Sequence, residues 1–285
     1  MRILFLGTLF LCGCSQAVPP AASVYFLGQP YRSGGIWSYP REDFAGDEAG
    51  IAAIMPAAAG LTANGEARDA RGMHAAHRTL QLPAIITVTN LENGRSVRLR
   101  VHDRGPDMAG RVVAVSPRAA ALLEATGPFR ARVVVDGTAS RQAIEGLPGQ
   151  TALLVMEAAP VGRVERETLA APAGARAATP RTVNVQAATV EATAVPRMPE
   201  RLPEQVVQGA PGMGRIWLEA GRFFRRDLAE VQAARIGGRA EAFGPPGRQQ
   251  QWRVRSGPFD GIAAADVALA RALAQGQPDL RLAVE

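Results

Sequence analysis

Residues 83–105 read PAIITVTNLENGRSVRLRVHDRG, in which apolar and polar residues alternate on both sides of an Asn-Gly pair. Alternation with a period of two is typical of strands with one buried face, and Asn-Gly is typical of hairpin turns because both residues tolerate positive φ. The stretch predicts strands at Ile85–Thr89 and Ser96–Val101, joined through Asn93 and Gly94. A chain with this hairpin is expected to build its first core from a β-sheet.

The segments that follow the hairpin extend this pattern. RVVAVS predicts a further strand, PRAAALLEAT a short helix and ARVVVDG a closing strand. From Gly50 to about Val135 the chain is therefore expected to form a small all-β unit.

Length and composition indicate more than one such unit. At 285 residues the chain can hold about two domains, and with aromatic residues at only 5% each core should be small. Residues 157–214 are rich in Pro and Ala and lack aromatics, so they cannot bury enough apolar area to offset their ordering entropy. The predicted organisation is a signal peptide at 1–13, a tether at 14–34, a first domain at 35–137, a mostly disordered linker at 138–214 and a terminal domain at 215–285.

The charge of the chain favours anionic partners. The formal net charge is +6 with a pI near 10.4, and every cationic side chain other than histidine is an arginine. Nucleic-acid binding is nevertheless not predicted, because no arginine block with interleaved aromatics is present.

The amino terminus indicates export. MRILFLGTLFLCGC has a cationic start, an apolar run too short to span a bilayer, and then small residues. The end of this segment resembles the lipobox of bacterial lipoproteins, with Cys14 as the acylated residue and Cys12 as the weaker candidate. A plain secretory signal with incidental cysteines remains the alternative. Because both cysteines lie here, the rest of the chain has neither a disulfide nor a cysteine-based metal site.

The terminal domain contains an internal repeat, in which Gly221 matches Gly257 and Phe223 matches Phe259. Each copy predicts a strand, a Gly-x-Phe corner and an amphipathic helix, which together give a small antiparallel sheet with two helices on one face. The buried face of the first helix is expected to contain Leu228, Val231 and Ala234. The second helix is patterned less clearly, with Val267, Ala270, Arg271 and Leu273.

On the opposite sheet face, alternation places Trp217 and Glu219 in the first strand beside Arg253 and Arg255 in the second. Trp217, Arg253 and Arg255 are the candidate ligand-binding residues of this face. The alternative is that Glu219 and Arg255 form an ordinary cross-strand pair.

Three polar residues of the first unit are candidates for chemistry: Glu66, His77 and Asp103. Asp103 lies where a predicted strand ends in a Gly-Pro corner, but an aspartate there commonly caps the turn. His77, among small residues, is more often packed than catalytic, and Glu66 could be a solvated loop charge. Alternation turns His102 to the opposite face from Asp103, and His74 is expected in a loop.

Taken together, TANGE, AAHRTL, VTNLENGRSV and VHDRGP form an ordered motif series. This series resembles that of the rare lipoprotein A (RlpA) family, and the terminal repeat resembles the sporulation-related repeat (SPOR) domain often attached to it. The resemblance implies a fold that is mainly β plus α+β: a six-stranded double-psi β-barrel, a long disordered linker and a small βαβ-repeat SPOR domain.

The resemblance also implies a function, that of an endolytic peptidoglycan lytic transglycosylase. Asp103 would protonate the leaving oxygen and then accept a proton from the muramyl C6 hydroxyl. His77 would bond and orient Asp103 or tune its pKa, and Glu66 would complete the polar network or hold the sugar. Such an enzyme needs no cofactor and no metal.

The partners implied are peptide-free glycan strands, bound by the SPOR domain at division septa, together with division-site proteins. The lipid on Cys14 would anchor the protein in a membrane facing the periplasm, and Ser15 after it favours the outer membrane.

The segment before TANGE differs from the family pattern. It reads AAIMPAAAGL, whereas the family has an aromatic and glycine-rich run whose rings could stack on sugars. The alternative function is therefore a catalytically silent lipoprotein that only holds denuded septal glycan.

Overall fold

The computed structural model describes residues 22–149, 201–245, 247, 250–277 and 280–285. The predicted signal peptide, Cys14 and most of the predicted linker lie outside these residues. Within them, no helix has the length and apolar character required to cross a membrane.

Six strands close into a barrel in which each strand pairs with two others, in the order β3-β7-β4-β6-β5-β8 and back to β3. Two of these pairings, β3 with β7 and β4 with β6, are parallel, and the others are antiparallel. The barrel strands are β3 (Asp47–Ile54), β4 (His74–His77), β5 (Ala84–Asn90), β6 (Arg95–Asp103), β7 (Arg111–Val115) and β8 (Phe129–Val135). A short hairpin precedes them, formed by β1 (Tyr31–Ser33) and β2 (Ile36–Ser38). The predicted six-stranded barrel is confirmed.

The predicted hairpin is β5 and β6, and its alternating apolar residues enter the barrel core. Ile86, Val88, Val97 and Leu99 are almost fully buried there. The turn differs from the expected one, because Gly94 has a φ of 79° whereas Asn93 keeps a negative φ. The Asn93 side chain instead accepts a hydrogen bond from the Arg95 amide and donates one to the Leu123 carbonyl, so it ties the turn to the helix region beside it.

The second half of the predicted tether is part of the barrel structure. The backbone of Phe26 exchanges two hydrogen bonds with Leu82, at 2.8 and 2.9 Å, and Val24 donates to the Asn64 carbonyl. The prediction of a free tether up to residue 34 is therefore wrong for residues 22–34. Their backbone groups find partners on the barrel that composition alone does not show.

The predicted linker likewise contains ordered elements at both ends. The short helix α1 (Pro117–Leu122) was expected, but α2 (Gly137–Ile144) was not; Asp136 caps it, and Ser140 bonds both the amide and the carbonyl of Ile85. Strand β9 (Val206–Gln208) adds to β6 on the barrel. The first unit thus extends at least to residue 144.

The terminal unit is a four-stranded antiparallel sheet in the order β11-β12-β10-β13. Its elements are β10 (Ile216–Phe223), α3 (Arg226–Arg235), β11 (Arg239–Phe243), β12 (Gln251–Phe259), α4 (Ile262–Ala274) and β13 (Leu280–Val284). One hydrophobic cluster joins buried residues of both helices to the inward side chains of the sheet. The predicted arrangement, with both helices on one face, is confirmed.

The predicted buried face of the first helix is wrong. Leu228 and Val231 are 48% and 54% exposed, and the buried residues are Ala229, Gln232 and Ala233. In α4 the buried residues are Ala265, Leu269 and Ala272, whereas Val267 is exposed. Four of these six buried residues are alanines, whereas the larger side chains of Leu228, Val231 and Val267 lie on the outside.

The terminal unit packs on the barrel. Arg111 of β7 is buried and forms a two-pronged ion pair with Asp266 of α4, with both N–O distances at 2.7 Å. Ala283 of β13 pairs with Gly50 of β3. A side chain at Gly50 would lie 2.9 Å from the Leu282 carbonyl, so this close approach of backbones requires glycine.

Candidate active site

Asp103 is the last residue of β6 and lines a surface pocket. Its Oδ1 accepts hydrogen bonds from the backbone amides of Ala63 and Arg104, at 3.0 and 2.9 Å. Its Oδ2 is 2.7 Å from Nη2 of Arg68, a half-exposed side chain that covers the carboxylate. Asp103 is thus fixed in orientation and lies against the pocket, as a reacting carboxyl group must.

His102 lines the same pocket, contrary to the prediction that it faces away from Asp103. Ala75 of β4 pairs with Val101, but the next residue, Ala76, pairs with Asp103, so His102 is the extra residue of a β-bulge. A bulge interrupts the alternation of side chains along a strand. Two consecutive polar residues of β6 therefore line one pocket.

Glu66 is buried behind His102 and holds a polar cluster together. Its carboxylate accepts hydrogen bonds from Arg100, Ser23 and Asn64, and its Oε2 is 3.1 Å from Nδ1 of His102. Burial by itself raises the pKa of Glu66, but the hydrogen bonds from His102 and Arg100, with the charge of Arg100, outweigh it and hold the pKa well below its usual range. Glu66 is therefore a carboxylate at neutral pH.

His74 is the first residue of β4. The prediction that it lies in a loop is therefore wrong. Its ring packs on that of His102, with the ring centroids 4.1 Å apart. Burial, followed by the neighbouring His102, lowers the pKa of His74 to about 4. His74 is therefore a neutral ring at physiological pH.

His77, the predicted partner of Asp103, is directed elsewhere. Its Nε2 is 3.0 Å from Oε1 of Glu48, and its Nδ1 accepts from the backbone amides of Thr79 and Leu80. Both ring nitrogens are occupied by these partners, so the expected hydrogen bond between His77 and Asp103 is not formed. The structure unites Glu66 with His102 and leaves His77 apart.

The altered segment before TANGE forms one side of the pocket through Met55, Pro56 and Ala58. The other side is lined by Asp69, Ala70, Ser116 and Pro117. Among the residues that the structure describes, no Phe, Tyr or Trp side chain lines it. Nor do these residues contain a group of three or more His, Cys, Asp or Glu that could hold a metal ion.

The face of the terminal sheet opposite its helices is polar and strongly paired. As predicted, Trp217, Arg253 and Arg255 lie together on this face, but Trp217 is only 6% exposed because the guanidinium of Arg255 lies 4.0 Å from its ring centroid. Sequence reasoning missed further members of this face, which are Arg239, Glu241, Arg281 and Glu285. Alternation along β11 and β13 would have indicated the first three.

Glu219 does not form the simple pair with Arg255 that was weighed as the alternative. Those two residues are opposite each other in register, but Glu219 forms ion pairs with Arg253 and Arg281, and Arg255 pairs with Glu241 and Glu285. The arginines are therefore held in a network.

A closed six-stranded barrel with two parallel and four antiparallel pairings is a double-psi-type barrel domain, and here a carboxylate at the end of one strand lines a pocket. Residues 47–136 match the family model described as "Lytic transglycolase". The chain is 36% identical over 217 residues to the endolytic peptidoglycan transglycosylase RlpA of Pseudomonas aeruginosa, a match that covers 72% of this chain and 60% of the relative.

Two further relatives carry the same name. That of Campylobacter jejuni is 37% identical over 162 residues, covering 47% of this chain and 59% of the relative. That of Escherichia coli is 43% identical over 88 residues, covering 30% and 24% respectively. The chain belongs to the RlpA family, and it spans about 60% of the length of the first of these relatives.

Proposed function

We propose that this protein is a lytic transglycosylase that cleaves peptidoglycan glycan strands internally. It would break the bond between N-acetylmuramic acid and N-acetylglucosamine and leave a 1,6-anhydro end. The observation that carries the proposal is Asp103, fixed at the end of β6 against a pocket, within the segment that matches the lytic transglycolase family.

In the reaction one bond to muramyl C1 breaks, another forms, and two protons are transferred. The leaving oxygen takes a proton as its bond to muramyl C1 breaks, and the C6 hydroxyl loses a proton as its oxygen bonds to C1. No water is consumed. A carboxyl group can serve both transfers in turn, first as acid and then as base, and Asp103 is the group assigned here.

The remaining proposals concern where the enzyme acts. The terminal unit, a SPOR-like domain, would bind peptide-free glycan through the face that contains Trp217, Arg253 and Arg255 and so enrich the protein at division septa. A lipid on Cys14 would anchor it to the outer membrane, facing the periplasm. Lipid-free Cys14→Ala protein remaining in the membrane fraction of cells would contradict the anchor.

The enzymatic proposal is tested by incubating the full chain with peptide-free glycan strands and analysing the products by mass spectrometry. We expect 1,6-anhydro ends with the wild type and none with Asp103→Ala. The matched control is Asp107→Asn, four residues further along, whose carboxylate accepts from Ser33 outside the pocket. Equal product from wild type and Asp103→Ala would remove Asp103 from the mechanism.

One observation favours a second function, glycan binding without cleavage. The pocket side formed by Met55, Pro56 and Ala58 offers no ring on which a sugar could stack. Under this alternative the wild type would co-sediment with denuded glycan and form no anhydro ends, and Trp217→Ala would abolish the co-sedimentation.

A further inference from the structure

We propose that His102, held by Glu66, is a second proton-transfer residue of this pocket and takes the proton of the muramyl C6 hydroxyl. This inference rests on the proposed function and divides its two proton transfers between two side chains. Asp103 then acts as the acid toward the leaving oxygen, and His102 acts as the base.

The first argument is placement. The β-bulge brings His102 to the same pocket as Asp103, which immediately follows it in β6. The acid acts on the leaving oxygen at muramyl C1 and the base acts on the C6 hydroxyl of the same unit, so both side chains must face the same pocket. Regular alternation along β6 would have prevented this for consecutive residues.

The second argument is the tautomer. Glu66 is a carboxylate that already accepts from Ser23, Asn64 and Arg100, so it can only accept from Nδ1 of His102. A neutral His102 therefore carries its proton on Nδ1 and its lone pair on Nε2. Nε2 forms no hydrogen bond with any residue in the part of the chain described, and it is the ring nitrogen left to act in the pocket.

The third argument is the charge around the ring. The groups that face His102 are Glu66 with its partner Arg100, the neutral ring of His74, Asp103 with its partner Arg68, and Asp69 beside His74. Glu66 is the carboxylate in direct contact with the ring, so it stabilises the imidazolium that forms when Nε2 accepts a proton. The buried rings and carboxylate also fix the direction of Nε2.

The step balances without another reactant. As Nε2 takes the C6 hydroxyl proton, the C6 oxygen bonds to C1, the bond from C1 to the leaving oxygen breaks with its electron pair, and that oxygen takes the proton of Asp103. The imidazolium of His102 then gives one proton to the Asp103 carboxylate, which returns both groups to their starting forms.

The test is the pH profile of kcat/KM on peptide-free glycan, for the full chain and for His102→Asn, which keeps a side-chain donor but no titrating group. We expect a rate about 100-fold lower and the loss of one ionisation from the profile. Imidazole added to His102→Ala should restore part of the rate. Asp107→Asn serves as the control and should keep the wild-type profile.

The outcomes separate this inference from the proposed function. If the wild type forms anhydro ends and Asp103→Ala does not, but His102→Asn keeps the wild-type rate and profile, only the role of His102 fails. A slower rate with an unchanged profile and no imidazole rescue shows a packing role and also overturns it. If the wild type itself forms no anhydro ends, the proposed function fails and this role fails with it.

A second measurement uses the wild type, so it tests the inference even if the His102 variants do not fold. In the wild type, histidine ring ¹⁵N shifts should show the His102 proton on Nδ1, and Nε2 should respond when peptide-free glycan is added. A proton on Nε2, or a ring unaffected by glycan, overturns the inference.

Discussion

Arg100 and Glu66 form an ion pair, with 2.8 Å between Nη2 and Oε1 and both side chains almost fully buried. The pair forms the rear of the pocket, since Glu66 also contacts His102. Removing one member of a buried ion pair leaves the other charge without compensation.

We therefore predict that Glu66→Gln lowers the free energy of unfolding by about 3 to 5 kcal/mol. The control is Asp47→Asn, which breaks an exposed ion pair with Arg132 and should cost less than about 1 kcal/mol. Urea unfolding of both variants measures the difference. Equal effects would show that Arg100 finds another partner or solvent.

The protein should become less stable in acid because the pKa values of two groups, His74 and Glu66, are lower in the folded state than in the unfolded state. His74 has a pKa of about 4 in the folded state and 6.5 when unfolded, so the unfolded chain binds more protons between these values and stability falls as pH decreases from 6.5 to 4. Glu66, whose folded pKa is also lowered, contributes stability that is complete above its unfolded pKa of 4.5 and declines below it.

Urea midpoints measured across this range should resolve the two contributions. His74→Asn should flatten the curve between pH 6.5 and 4 while leaving the decline below 4.5 in place. An unchanged slope in the variant would contradict the burial of a neutral ring.

The exposed apolar residues of α3 should contribute little to stability. We predict that Leu228→Gln and Val231→Gln each change the free energy of unfolding by less than about 0.5 kcal/mol. Leu269→Ala, at a position that is 3% exposed in α4, should cost about 2 to 5 kcal/mol. Chemical denaturation measures the free energy of unfolding of the three variants. A large loss of stability in Leu228→Gln would support the buried helix face predicted from the sequence.

The contact between barrel and terminal unit should depend on Asp266. Asp266→Ala leaves the guanidinium of Arg111 buried without its carboxylate, so the two units should separate and unfold in distinct calorimetric transitions. Asp260→Ala, at an exposed position just before α4, should keep the wild-type trace. A single unchanged transition in Asp266→Ala would show that the ion pair does not hold the units together.

Much of the fold could be predicted from local patterns. The Asn-Gly hairpin and the Gly-x-Phe repeat specified the strands of both units, because a period of two and a turn residue are properties of neighbouring positions. The packing of residues 22–34 and helix α2 onto the barrel could not be predicted this way. Those segments are stabilised by partners far along the chain, such as Leu82 for Phe26 and Ile85 for Ser140.

The candidate site, like the fold, could be predicted only in part from the sequence. By itself the sequence determined the strands, the repeat, the family motifs and Asp103 at a strand end, since each depends on residue type and near spacing. Only the tertiary structure decided which histidine joins Glu66 and Asp103. A one-residue bulge in β6 brought Asp103 to the same pocket as His102. Strand β7 pairs with both β3 and β4, which brings His77 of β4 beside Glu48 of β3, because a side chain's position is set by its strand's partners.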